Sequence, residues 1–136
     1  ADRDLVLGVG LSADGRRESG KQHDVGPSPD GVGAEVSLSG FGSLVPGITM
    51  TGGRGGFGEL GDRVYSICAS GDMMCDAPTV TNPIKAISQL SGALNSPVHA
   101  MYGTTRYWSA GGMSATDWLD GWAAKRIDEA PVPEHY

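Results

Sequence analysis

One carboxylate and one histidine are spaced so that together they would do chemistry. Asp72 lies inside "CASGDMMC", between the only two cysteines, Cys68 and Cys75. His99 follows in "SPVHAMYG", just after a stretch with helical spacing. In an open α/β sheet, an acid on one loop beyond the strand ends and a histidine on the next form the supporting part of a nucleophile-His-Asp triad. The carboxylate would accept the ring Nδ1–H, fixing the tautomer and stabilising the imidazolium, while Nε2 takes a proton from a hydroxyl. By spacing alone the pair also reads as a lone loop acid and a hydrogen-bonded histidine.

Two cysteines this close together point to a disulfide rather than a zinc site, because His23, His99 and His135 have no ligand-like spacing to them. A bridge closing about eight residues would hold Asp72 in place and stabilise the fold by roughly 2–3 kcal/mol. It also implies an oxidising compartment, and so a secreted or cell-envelope protein. The chain begins "ADRDLVLGVGL" without a Met, as expected of one that is processed, trimmed or cut.

The elements that must position these groups are few. "DLVLGVGLSADG" predicts a strand from Leu5 to Leu11 buried on both faces, as in a parallel sheet between helices, and "RVYSICAS" predicts a second that ends at the opening cysteine. Between them, Gly and Pro leave room only for short strands or turns such as "AEVSLSG" and "PGITMTG". There "FGSLVPGITM" reads either as a flap over a lipid-binding cleft or as a satellite of the core. "TNPIKAISQLSGALN" predicts a helix with Ile84, Ile87, Leu90 and Leu94 on one face, capped by Thr81 or Asn82 with Pro83 in the first turn. "SATDWLDGWAAKRIDEA" predicts another, opening on Ser114 and Asp117 in capping-box register, with Leu119, Trp122, Ala123 and Ile127 as its core stripe. The tail "PVPEHY" reads as a surface strap, with no role for His135.

Composition closes off other functions. The 136 residues, 39% of them hydrophobic, suffice for one packed domain, but 22 Gly and 8 Pro make it rich in loops. A net charge of -6 argues against a nucleic-acid surface, and the one basic cluster, "GRRESGK", reads as a solvated loop. No apolar run approaches the roughly 20 residues that span a bilayer. His23, Asp24 and Asp30 in "KQHDVGPSPDG" match no EF-hand or zinc spacing and read as a turn-rich loop.

"VYSICASGDMMCDAP" followed by "PVHAMYG" resembles the C-terminal motifs of the cutinase family of serine esterases, in which a disulfide flanks a Gly-Asp pair and a His-x-x-Tyr follows. The likeness is strongest to the mycobacterial cutinase-like lipases, and extends to "SADGRRESG", "GAEVSLSG", "ITMTGGRGGFGEL" and the Trp-bearing last helix. It implies an α/β fold, the three-layer sandwich of an α/β-hydrolase with a central parallel sheet. It implies Asp72 and His99 as triad acid and base, Cys68 and Cys75 as the neighbouring disulfide, and fatty-acyl ester substrates. It implies no metal or organic cofactor, and contact with lipid or envelope surfaces.

One part of the pattern is missing. The family's nucleophile sits in a G-x-S-x-G elbow, and no serine here has that context; "SLSGFGSL" fails it. The resemblance therefore makes residues 1–136 the C-terminal half of a single hydrolase domain. The nucleophile and oxyanion hole are expected upstream of Ala1, either on a fragment that stays associated after a backbone cut or on the preceding part of a longer protein. By itself the chain is expected to be inactive, with an open strand edge and apolar face that favour aggregation. An acyltransferase on the same scaffold, or an envelope binding module without a nucleophile, are the alternative readings.

Overall fold

The computed structural model describes residues 5–41, 52–78 and 82–131. Among them three strands run parallel: β1 (Val9–Ser12), β2 (His23–Asp24) and β3 (Val64–Ile67), in the order β1-β3-β2. Val9 stands opposite Val64 and Ser12 opposite Ile67, while His23 pairs with Tyr65 on the other side. With a neighbour on each side, β3 buries Val64, Ser66 and Ile67 completely. A parallel sheet joined to helices is the expected α/β pattern.

β1 departs from expectation. Only Val9–Ser12 is strand, half-buried and exposed residues alternate along it, and Leu5 is 77% exposed. Among the described residues β1 has one lateral partner, and helix α3 (Ala115–Asp128) covers it from one side, with Leu119 and Trp122 against Gly8 and Gly10.

α3 opens as expected, its Ser114 Oγ accepting from the Asp117 amide at 3.2 Å. Its inner face is rotated relative to the expected stripe: Ala123 is exposed and Ile127 is 67% exposed, and Trp118 joins Leu119 and Trp122 instead. The two indoles stack with centroids 6.4 Å apart, and Tyr65 lies 5.3 Å from Trp122. Large aromatic surfaces bury more area than Ala123 and Ile127 would, so they set the rotation.

Helix α2 (Pro83–Asn95) takes Asn82 as its cap, the side chain accepting from Lys85 N at 2.9 Å, with Pro83 in the first turn. Of the expected apolar face, the side chains of Leu90 and Leu94 lie outside the described residues, and the two that are described face solvent. Ile84 is 82% exposed and Ile87 is exposed, while Ala86 and Gln89 are buried, the Gln89 amide donating to Pro78 O at 3.4 Å.

"AEVS" forms one helical turn, α1 (Ala34–Ser37), rather than a strand. Three backbone bonds seat its start: Gly33 N to Arg17 O, Ala34 N to Met74 O and Glu35 N to Gly15 O, at 2.8–2.9 Å. A Cβ at Gly33 would collide with the Gly15 carbonyl, so only glycine permits this approach. The basic cluster is likewise not solvated as a whole. Arg17 is completely buried, Arg16 donates to Gly52 O and Gly53 O, and Glu18 accepts from the Gly55 amide. A cluster of Val25, Ile67, Ala69, Trp108 and Ala115 forms the core beneath the C-terminal end of β3. The expected flap falls, beyond Phe41, outside the described residues, as do "PVPEHY" after Pro131 and most of "PGITMTG".

Candidate active site

The buried strand β3 runs directly into the cysteine loop, so the position of Asp72 is set by the sheet. Cys68 and Ala69 are buried, and the chain then turns, the Asp72 amide donating to Ala69 O at 3.0 Å. Gly71 makes the turn at φ 86°, a left-handed conformation that residues with a Cβ adopt at a cost. The Asp72 carbonyl accepts from Cys75 N and Asp76 N, and a disulfide joins Cys68 to Cys75 with the Cα atoms 6.0 Å apart.

Asp72 is completely buried, and both carboxylate oxygens are occupied. Oδ1 accepts from Met74 N at 3.0 Å; Oδ2 accepts from the Tyr102 hydroxyl at 2.7 Å and from His99 Nδ1 at 3.1 Å. An ionised carboxylate only accepts, so Nδ1 carries the proton and Nε2 is the ring nitrogen left basic. His99 stands in a turn after α2, on a side chain 37% exposed, while its partner is dry. A fully buried carboxyl bonded to the ring nitrogen of a more exposed imidazole is an arrangement that orients the ring.

Tyr102 completes the cluster from the turn that carries His99. Its hydroxyl oxygen accepts from Ala69 N at 2.9 Å and lies 3.5 Å from Cys75 Sγ, and its backbone carbonyl accepts from Thr116 at the start of α3. Burial, and then the bond to Asp72, push the phenol well above its ordinary pKa against the opposing effects of the Ala69 N–H and Arg17. It stays neutral at any working pH.

No protein-family model matches the chain. One curated relative does. Over 132 residues the chain is 46% identical to Carboxylesterase Culp6 homolog of Corynebacterium glutamicum, an alignment that covers 92% of this chain and 41% of the relative. The chain thus spans about two fifths of the length of the curated relative that it matches.

Asp72 and His99, paired by spacing and by the resemblance, meet in space, and the Cys68–Cys75 bridge brackets Asp72. The residues of the dismissed metal reading go to separate partners. His23 Nε2 lies 3.0 Å from Asp62 O, Asp24 accepts from Arg17, and Asp30 accepts from Ser19 Oγ at 2.8 Å. Two supporting residues escaped the sequence reading. Tyr102 was visible in the His-x-x-Tyr pattern but had no role, and Arg17 was placed in solvent. Arg17 donates Nη1 to Cys75 O at 3.3 Å, Nη2 to Asp24 Oδ1 at 2.9 Å, and Nη2 also to Pro29 O. The only signal for it was an arginine in a turn-rich stretch with an acid, Asp24, nearby.

Proposed function

We propose that this chain supplies the acid and the base of a Ser-His-Asp esterase that hydrolyses fatty-acyl esters. The observation that carries the reading is the 3.1 Å contact between His99 Nδ1 and a completely buried Asp72, on adjacent loops past the C-terminal end of β3. The likeness to a carboxylesterase, of which this chain spans 41%, supports both the ester substrate and the existence of further sequence. In this reading a preceding segment of the same domain brings the G-x-S-x-G serine and the oxyanion donors. It adds strands to the sheet and so completes a three-layer α/β-hydrolase sandwich, and residues 1–136 alone turn nothing over.

In this reading the steps are those of a serine triad. His99 Nε2 takes the serine proton as the oxygen attacks the acyl carbonyl, and Asp72 stabilises the imidazolium formed. The imidazolium returns the proton to the departing alcohol or thiol, and an acyl-enzyme remains. Water then attacks the acyl group, giving its proton to the same nitrogen, and the acid leaves as serine is restored. The disulfide favours a secreted or envelope location for this chemistry, where lipid surfaces supply the substrate.

The test is His99→Gln in the full-length protein, with hydrolysis of a p-nitrophenyl acyl ester followed. Turnover should fall by roughly 10³-fold or more while the fold persists. Unchanged turnover in a folded variant removes His99 from the mechanism.

A further inference from the structure

We propose that Tyr102 is a positioning residue that sets the basicity of His99 through Asp72. The inference rests on the reading of His99 as the base, and names a regulator of that base that the Asp-His pair alone does not contain. Its starting point is that one carboxylate oxygen, Asp72 Oδ2, serves two donors: the Tyr102 hydroxyl at 2.7 Å and His99 Nδ1 at 3.1 Å.

The direction of the tyrosine bond is settled by its other partner. The phenol oxygen already accepts the Ala69 N–H at 2.9 Å, so its single hydrogen is the one directed at Asp72. Ala69 is 1% exposed and belongs to the segment that leaves β3, so the sheet fixes the tyrosine, and the tyrosine fixes the carboxylate. Burial and the Asp72 bond keep the phenol protonated, which makes it a permanent donor.

A donor on Oδ2 draws negative charge away from the imidazole. His99 is therefore held less basic than it would be against the same carboxylate without the hydroxyl, and a larger share stays neutral and able to accept a proton. The other charged groups around the cluster are engaged elsewhere. Arg17 is bonded to Asp24 and the Cys75 carbonyl, Asp76 Oδ2 accepts from Gly71 N, and the start of α3 presents the neutral Thr116.

The experiment compares three forms of the full-length protein: wild type, Tyr102→Phe, and one carrying 3,5-difluorotyrosine at position 102. The fluorinated ring keeps both hydrogen bonds and donates more strongly, so it remains informative should the Phe variant fail to fold around an unpaired Ala69 N–H. Two readouts are taken: the titration of the His99 ring by NMR, and the acid limb of kcat/KM for a p-nitrophenyl ester. In Tyr102→Phe both midpoints should rise by about half a pH unit or more, and in the fluorinated form both should fall. A purely structural tyrosine would change stability and leave the midpoints alone. His99 midpoints that match the wild type in every folded variant overturn the proposal. If the wild-type protein hydrolyses no ester, the esterase reading falls, and the NMR titration still decides whether Tyr102 controls His99.

Discussion

Arg17 and Cys75 lie 58 residues apart in sequence, and the guanidinium of the first donates to the carbonyl of the second at 3.3 Å. The cysteine loop is thus held from two sides: Asp72 binds its own loop amide and the His99 turn, and Arg17 binds the loop's closing carbonyl. The same guanidinium reaches Asp24 of β2, so that strand and the cysteine loop share one buried cation.

Removing that cation should loosen both. Arg17→Leu removes the donor from the Cys75 and Pro29 carbonyls and leaves Asp24 with Gln22 but no cation, and should cost about 2–4 kcal/mol in a denaturant titration of the full-length protein. Arg17→Lys should recover little of it, because one ammonium cannot fork among three acceptors. A loss well under 1 kcal/mol for Arg17→Leu would show that the buried bonds contribute nothing net.

The disulfide bears on stability and geometry together. Replacing Cys68 and Cys75 by Ala should lower stability by about 2.5 kcal/mol from the loop-closure entropy of a short ring. Thermal unfolding with and without reductant checks this for the wild type, and the double variant should be insensitive to reductant. If the esterase reading holds, kcat should fall more than KM rises, since the bridge positions Asp72 rather than substrate.

Asp72→Asn tests the acid itself. The amide offers one oxygen acceptor where the carboxylate offers two, and its NH₂ would face either Met74 N or the Tyr102 and His99 donors. Ester turnover should fall by roughly 10³–10⁴-fold, with far-UV circular dichroism retained. Wild-type rates would make the acid structural only.

Acid sensitivity should be traceable to Asp14, which Arg54 grips through both guanidinium nitrogens, at 2.6 and 3.0 Å. Burial opposes its ionisation, yet the Arg54 bonds, the Arg16 amide and the two positive charges outweigh it, leaving the carboxyl below its usual 3.8. A carboxylate with a lowered folded pKa stabilises fully above its unfolded value and loses that contribution as the pH falls through the folded one. The stability difference between wild type and Asp14→Asn should therefore be about 1–2 kcal/mol at pH 7 and shrink below pH ~4, measured by denaturant titration at several pH values. A difference that does not vary with pH would mean that the charge of Asp14 is not what stabilises.

Much of the site was legible because its parts are marked locally. Cys68, Gly71, Asp72 and Cys75 fall within eight positions of one another, and a chain this short has little freedom once bridged. Ser114 and the Asn82-Pro83 pair showed where two helices begin, because a cap acts within its own first turn. The choice of buried face was not legible. Ile84 and Ile87 have the right spacing for a core stripe, yet the helix buries Ala86 and Gln89, and Gln89 bonds Pro78 O, a contact that periodicity does not encode.

Short-range spacing was thus enough to find the bridge and the strand that leads to it, since each depends on neighbours a few positions away, while Asp72 and His99 were singled out as a pair by the family resemblance. The third dimension added the environment: the burial of Arg17, the second donor on Asp72 Oδ2, and the wetter position of His99. Those depend on groups 27 to 58 residues apart, such as His99 with Asp72 and Arg17 with Cys75. Charge state and hydrogen-bond direction follow from what surrounds a side chain, and folding assembles that surrounding from segments that are remote in the chain.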